Sequence, residues 1–400
     1  MEPMDAFDAA ARHLAAFDPL AARRFVALSD APRALMLRGI AMAQLGEWPE
    51  ARRLLARASK EGLPPLLGAR CLAAEGEILL AQREVERAKK VLESAEKQLD
   101  RDGDHVNARW VRLQRVRRLL LLGDVRGAAT LVASIDLRRA PAALRANVAM
   151  TTAEIALREL RPRDARASLA RARALALDSG VLVDAIDRVA RDLVAPAARC
   201  VSNGTERTMV LDDVVRLLAT RGLVVDACRR QVVAAPHVVD LATRPVLLAL
   251  ATALGKGETS REALAKAAFG ARRVSESVRV RLRVEIGRLR RLVAPFAAIV
   301  ATHGGFAFEC DRPSSVLLPP AEGEASAVLA LLAGGEAWST SALATALGQS
   351  QRAVQRALAT LRDQGRAEST GSGRAQRWVA PPSEVPIATT LLLLDRRDPR

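Results

Sequence analysis

Apolar residues recur at three- and four-residue steps along most of this chain, as they do in helices that bury one stripe. Up to about residue 190 the stripes come in pairs. RALMLRGIAMAQLG (33–46) is followed by PEARRLLARASK (49–60). Small residues sit in these pairs at fixed offsets. Gly39, Ala51 and Ala58 are twelve and seven apart, as are Gly76, Ala88 and Ala95, and again Ala153, Ala165 and Ala172. A weaker unit centres on Gly123 and Ala128, with Val116 and Ile135 where small residues are expected. Small side chains at such positions let two helix backbones cross closely. The period of 37 to 40 residues predicts a stack of helical hairpins.

The pattern changes after 190. VAPAARCVSNGTER (194–207) carries Pro, Asn and Gly and reads as a linker. Short β-branched runs follow, Val224–Val225, Val232–Val233 and Val238–Val239, and predict a small antiparallel sheet. Helices are expected over 244–254, ending at Gly255, and over 260–269, with Ser260 as N-cap. Residues 272–291, RRVSESVRVRLRVEIGRLRR, then set eight arginines against two glutamates. Val278, Leu282, Ile286, Leu289 and Val293 form its apolar stripe, and a helix over 275–292 is expected. AAIVATHGGFAFEC (297–310) reads as strand, turn, strand, and Pro-rich DRPSSVLLPPAEGE (311–324) as a second linker. Residues 324–380 repeat the theme, with helices over 324–332, 341–347 and 351–364, capped in part by Ser339 or Thr340 and by Ser350. A hairpin around the Gly-rich turn of RAESTGSGRAQRWVA completes that unit. The tail from Ser383 fits either strand or helix.

Composition narrows the classes. Half of the 400 residues are apolar and a quarter charged, which suits a globular protein of two or three domains. The net charge of +16 favours a polyanionic partner. Only six of the 61 basic residues are lysine, a bias that a GC-rich coding genome also produces, so local clustering carries more weight than the total. Cys71, Cys200, Cys228 and Cys310 are far apart, with no histidine at ligand spacing, and are expected to be reduced. The acidic N-terminus is not a secretory signal, and no apolar run is long enough to span a bilayer. A cytoplasmic protein of bacterial type without membrane contact is therefore expected. The four histidines (13, 105, 237, 303) are dispersed, and GKGETS (255–260) lacks phosphate-loop spacing. Neither an enzyme nor a cofactor or metal is expected.

Two resemblances sharpen this. The small residues and the GEWPEA turn (46–51) resemble tetratricopeptide repeats over roughly 30–190, with a generic helical bundle as the alternative. The Val-rich strands, RPVLLALATAL, TSREALAKAAFG, RVEIGRLRRLV and IVATHGGFAF resemble the effector domain of OmpR/PhoB-class response regulators over 223–309. Arg283 stands where that class usually has an acid, and Phe306 replaces its wing tyrosine. No aspartate-bearing βα repeat precedes the module, so no receiver domain is expected. STSALATALGQSQRAVQRALATLRDQG (339–365) resembles the broad winged-helix repressor class. The fold expected is mainly α, an N-terminal α-solenoid of tetratricopeptide-like hairpins followed by two winged-helix (α+β) domains. Its parts are a repeat domain over 1–192, a linker over 193–207, a first winged helix over 208–312, a linker over 313–323, a second winged helix over 324–381 and a tail over 382–400.

The resemblance implies that helix 275–292 lies in a major groove and that the hairpin near His303–Gly305 reaches the adjacent minor groove or backbone. Helical geometry sorts the residues independently. Opposite the buried stripe lie Val280, Val284, Gly287 and Arg291. Arg279, Arg283 and Arg290 flank one side, Arg281 and Arg288 the other. The valines suit thymine methyls, and the arginines suit phosphates or guanine. Arg272, Arg273 and His303 join this set. In the second module Gln351, Arg352, Gln355 and Arg356 are expected on one outward face, with Arg374 and Arg377 at the wing. The expected function is sequence-specific binding of double-stranded DNA by a transcription regulator. The repeat domain's concave face would take a protein or peptide partner, or a second copy in a homodimer. The alternatives are a repeat scaffold whose winged helices dock proteins, and RNA binding, which the lack of exposed aromatics disfavours.

Overall fold

The computed structural model describes residues 6–82, 84–122, 124–176, 179–241, 243–270, 275–311, 313–318, 328, 332, 337–347, 349–363, 367–370, 373 and 376–379. The protein is mainly helical; the described residues form 17 helices, and their strands all lie from Ala198 onward. It divides into two compact units, Met1–Ala190 with Gly323–Arg400 and Arg191–Glu322.

The first unit opens with α1 (Ala6–Ala15), α2 (Pro19–Val26), α3 (Pro32–Gln44), α4 (Trp48–Lys60), α5 (Pro65–Ala81) and α6 (Val85–Arg101). It continues with α7 (His105–Leu121), α8 (Val125–Ala133), α9 (Ala142–Arg158) and α10 (Pro162–Ala176), and α11 (Gly180–Arg191) follows. Helices pack in consecutive pairs, α1 on α2 through α9 on α10, and each pair packs on the next. The repeated small residues explain the close pairs. Ala51, Ala58, Ala88, Ala95, Ala153, Ala165 and Ala172 are all fully buried. A methyl on Gly39 would stand 2.9 Å from Leu55 Cγ, and one on Gly76 2.4 Å from Leu92 Cδ2. The irregular pair α7–α8 buries Val116 and Ile135 instead, and its second helix, α8, is only 9 residues long. Gly123 lies outside the described residues.

The apolar stripes do not account for everything buried here. Trp110 Nε1 donates to Glu77 Oε1 at 2.5 Å, and Arg70 pairs with Asp104 at 2.8 Å. These bonds join α5 to α7 inside the stack, where polar groups persist only when partnered.

The second unit is built on a six-stranded sheet in the order β2-β1-β9-β3-β4-β5. Its strands are β1 (Ala198–Ser202), β2 (Thr205–Met209), β3 (Val224–Asp226), β4 (Gln231–Ala234), β5 (His237–Asp240) and β9 (Ser315–Leu318). The three valine runs fall in β3, β4 and β5, which pair antiparallel with Val224 opposite Val233 and Val232 opposite Val239. Both stretches read as linkers contain strands of this sheet. β1 and β2 form a hairpin with Ser202 opposite Thr205, and β9 lies antiparallel to β1 and parallel to β3. The reason is local. Asn203 and Gly204 take positive φ, 49° and 72°, so Asn-Gly is a two-residue hairpin turn rather than a break. In the second stretch, Val316 and Leu317 are fully buried between neighbouring strands.

Against this sheet pack α12 (Leu211–Leu218) and α13 (Pro245–Gly255). The short β6 (Thr259–Ser260), α14 (Arg261–Phe269), α15 (Glu276–Val293), β7 (Ala298–Ala301) and β8 (Gly305–Glu309) follow, and β6-β8-β7 form a second sheet. Leu250, Leu254, Leu264, Ile286, Leu289 and Val316 belong to one buried cluster that joins helices to sheet.

In the C-terminal segment α16 (Thr340–Leu347) and α17 (Gln351–Asp363) precede antiparallel β10 (Glu368–Thr370) and β11 (Arg377–Val379). Trp338 and Trp378 exchange backbone hydrogen bonds of 2.9 and 2.7 Å, an isolated bridge on the edge of that pair. Of the helix expected over 324–332, the described residues Val328 and Leu332 are helical and buried. The tail lies outside the described residues.

Candidate nucleic-acid interface

α15 begins at Ser275, whose hydroxyl accepts from the Val278 amide at 3.4 Å. Glu276 stands in the first turn, where a negative charge suits the helix dipole. Leu282, Ile286, Leu289 and Val293 are buried and Val278 half-buried, so the stripe faces the core as its spacing requires. The opposite face is open, with Val280 and Val284 each 49% exposed.

The arginines divide by what holds them. Arg279 and Arg283 both reach the Glu276 carboxylate, at 3.4 and 3.3 Å. Arg288 pairs with Glu285 at 2.7 Å. All three guanidiniums are more than half exposed, so these pairs contribute little stability and can exchange for another anion at small cost. Arg281 lies over the Phe269 ring, 4.5 Å from its centroid. Arg291 is exposed and makes no ion pair among the described residues. Arg290 differs from the rest. Its Nε donates to the Ile299 carbonyl at 2.7 Å and its guanidinium lies over Phe306, so it ties α15 to β7 and β8. Arg272 and Arg273 lie outside the described residues.

The β7–β8 hairpin stands beside this helix. His303 is exposed at its turn. Thr302 braces the turn, donating to Glu258 Oε1 at 2.6 Å while accepting from the Gly305 amide at 2.9 Å. Phe306, on β8, is buried.

A second basic face lies on α17. Ser350 caps it by accepting from the Ala353 amide at 3.2 Å. Val354, Leu358 and Leu361 are buried, while Gln351, Arg352, Gln355 and Arg356 are exposed together. Arg377 is half-buried on β11 and donates to the Gln376 carbonyl, and Arg374 lies outside the described residues.

Beside this interface, and not singled out by the sequence pattern, Arg244 precedes α13 and lines an open concavity with Glu285, Arg288 and Arg291. Periodicity within α15 gave no sign of this, because the contact joins segments some forty residues apart. The histidines are spread out as well: His13 lies by Asp18, His105 by Asp100, and His237 stacks on Phe296. Among the described residues no cluster of three or more His, Cys, Asp or Glu is placed to hold a metal, and no helix is long and apolar enough to cross a membrane. Comparison with protein-family models, curated proteins and solved structures gave no match.

Proposed function

We propose that this chain is a DNA-binding transcription regulator. In this reading Arg191–Glu322 is a winged-helix module of the OmpR/PhoB kind, and α16–α17 with β10–β11 belong to a second. The stacked helical pairs form a tetratricopeptide-like solenoid that receives a protein or peptide partner. One observation carries the reading: α15 buries one stripe and turns an arginine-rich face outward next to an exposed hairpin turn. A helix so presented fits the major groove, and its guanidiniums release counterions from the phosphates they neutralise. The exposed valines supply the apolar contacts that a groove floor with thymine methyls accepts.

Fluorescence anisotropy with duplex DNA across a salt series tests this. With six to ten phosphate contacts, affinity falls about 10³–10⁵-fold between 50 and 200 mM salt. Replacing Arg279, Arg283 and Arg288 with alanine flattens the salt slope by ~0.9 per lost contact. Circular dichroism stays unchanged, since all three side chains are exposed. No duplex binding at low salt defeats the reading, and an unchanged slope in the triple variant removes α15 from it.

A further inference from the structure

Beside the outward face of α15 lies an open concavity of about 580 Å³. Pro245, Val246, Leu247 and Leu292 make up its apolar lining. Arg244, Arg288 and Arg291 also line it, against a single acidic residue, Glu285. That carboxylate is committed to Arg288, and its side chain is only 14% exposed. Arg244 and Arg291 are exposed and make no ion pair among the described residues. Unpaired cations that line one partly apolar concavity repel one another and gain from an anion placed among them. The volume falls in the range of small-molecule sites, which combine an apolar lining with a few convergent polar groups.

We propose that this concavity binds a small phosphorylated molecule and that its occupancy excludes duplex DNA from α15. The proposal rests on the DNA-binding reading only for its second half. A phosphate suits the guanidiniums, which present paired donors to its oxygens. The apolar lining selects the rest of the ligand. A phosphodiester backbone is polar throughout and gains little from Val246, Leu247 and Leu292, whereas a molecule with a flat or apolar body covers them. Arg288 and Arg291 belong to both the concavity and the outward face of α15. A ligand that holds them takes their charge from the duplex and adds its own negative charge beside the groove. Arg244 stands outside the residues assigned to DNA, which separates the two sites experimentally.

The test uses the full chain, with AMP as probe and adenosine and inorganic phosphate as partial probes, at constant ionic strength. Calorimetry with AMP is expected to give saturable binding, stronger than with either fragment. Loss of one charge-assisted contact in R244A weakens it about tenfold or more. R216A, an equal loss of charge on α12, leaves it unchanged. Arg244 is exposed and its side chain caps nothing, so the R244A fold is kept. In anisotropy AMP displaces duplex from the wild-type chain and fails to displace it from R244A, whose duplex affinity without AMP matches wild type.

Absence of saturable AMP binding overturns the site, as does an equal loss in R216A and R244A. Inorganic phosphate binding as tightly as AMP overturns the role of the apolar lining. Duplex affinity lost in R244A without AMP shows that the concavity serves a backbone phosphate, and overturns the small ligand. AMP that binds without displacing duplex overturns the exclusion. A chain that binds AMP and no duplex sinks the DNA reading and leaves the site standing.

Discussion

Gly68 and Gly76 share one helix and ask opposite things of a methyl group. Around Gly68 nothing lies within 4 Å of a built Cβ. At Gly76 the same atom would sit 2.4 Å from Leu92 Cδ2 and 2.7 Å from Cγ, and Leu92 is fully buried and has nowhere to turn. Gly68→Ala should therefore raise stability by about 0.4–1 kcal/mol, through lost freedom of the unfolded chain. Gly76→Ala should lower it, since overpacking of about 1–3 kcal/mol exceeds the ~1 kcal/mol that alanine adds to helix propensity. Urea denaturation of the two variants at equal m-value measures both. Equal effects would mean that the α5–α6 crossing is not tight. This much was legible in the chain, because a repeated glycine or alanine at fixed offset has few other uses. What the glutamate at 77 does was not legible. Nothing in a stripe of apolar residues says that Trp110, one helix pair later, brings it a donor.

At the scale of elements, α15 does two jobs with one residue type. Arg279, Arg283 and Arg288 sit on the open face, held only by exposed carboxylates or, for Arg288, by half-buried Glu285. Arg290 reaches back instead, to the Ile299 carbonyl and the Phe306 ring. Helical angle alone placed Arg290 with Arg279 and Arg283. The hairpin, invisible to that angle, draws it away. Arg290→Ala should loosen β7 and β8 while α15 keeps its helix. Hydrogen exchange by mass spectrometry should show faster exchange over 298–309 and unchanged protection over 282–289. Uniform protection in both segments would show that the hairpin is held by its own strands. Elements were misread where turn chemistry pointed two ways. Asn-Gly marks a break in a polar context and a hairpin between pairing strands, and the second partner of β1 lies more than a hundred residues on, at β9.

Over the whole molecule the boundaries matter most. The unit Arg191–Glu322 closes its sheet with segments from both of its ends. Cys200, Met209, Val224 and Leu317 share a buried cluster, so β1 and β2 are part of the core. A fragment of residues 191–322 is expected to unfold in one cooperative thermal transition. A fragment of 210–322 lacks β1 and β2, leaves one edge of β9 unpaired and exposes that cluster. It should melt several degrees lower or aggregate, since an open apolar edge strand invites pairing between chains. Calorimetry and sedimentation decide the matter, and identical melting would restore a linker at 193–207.

The sequence by itself determined the helical class, the paired stripes, the three valine strands and the placement of α15's apolar and basic faces. These are local properties, set by a period of 3.6 or 2 and by the width of a side chain. The tertiary structure decided the rest: that β9 enters between β1 and β3, that Arg290 reaches the β7–β8 hairpin, and that Arg244 lines one concavity with Arg288 and Arg291. Each of these joins residues on separate elements. No periodicity encodes such a meeting, because what brings the partners together is the shared burial of everything between them.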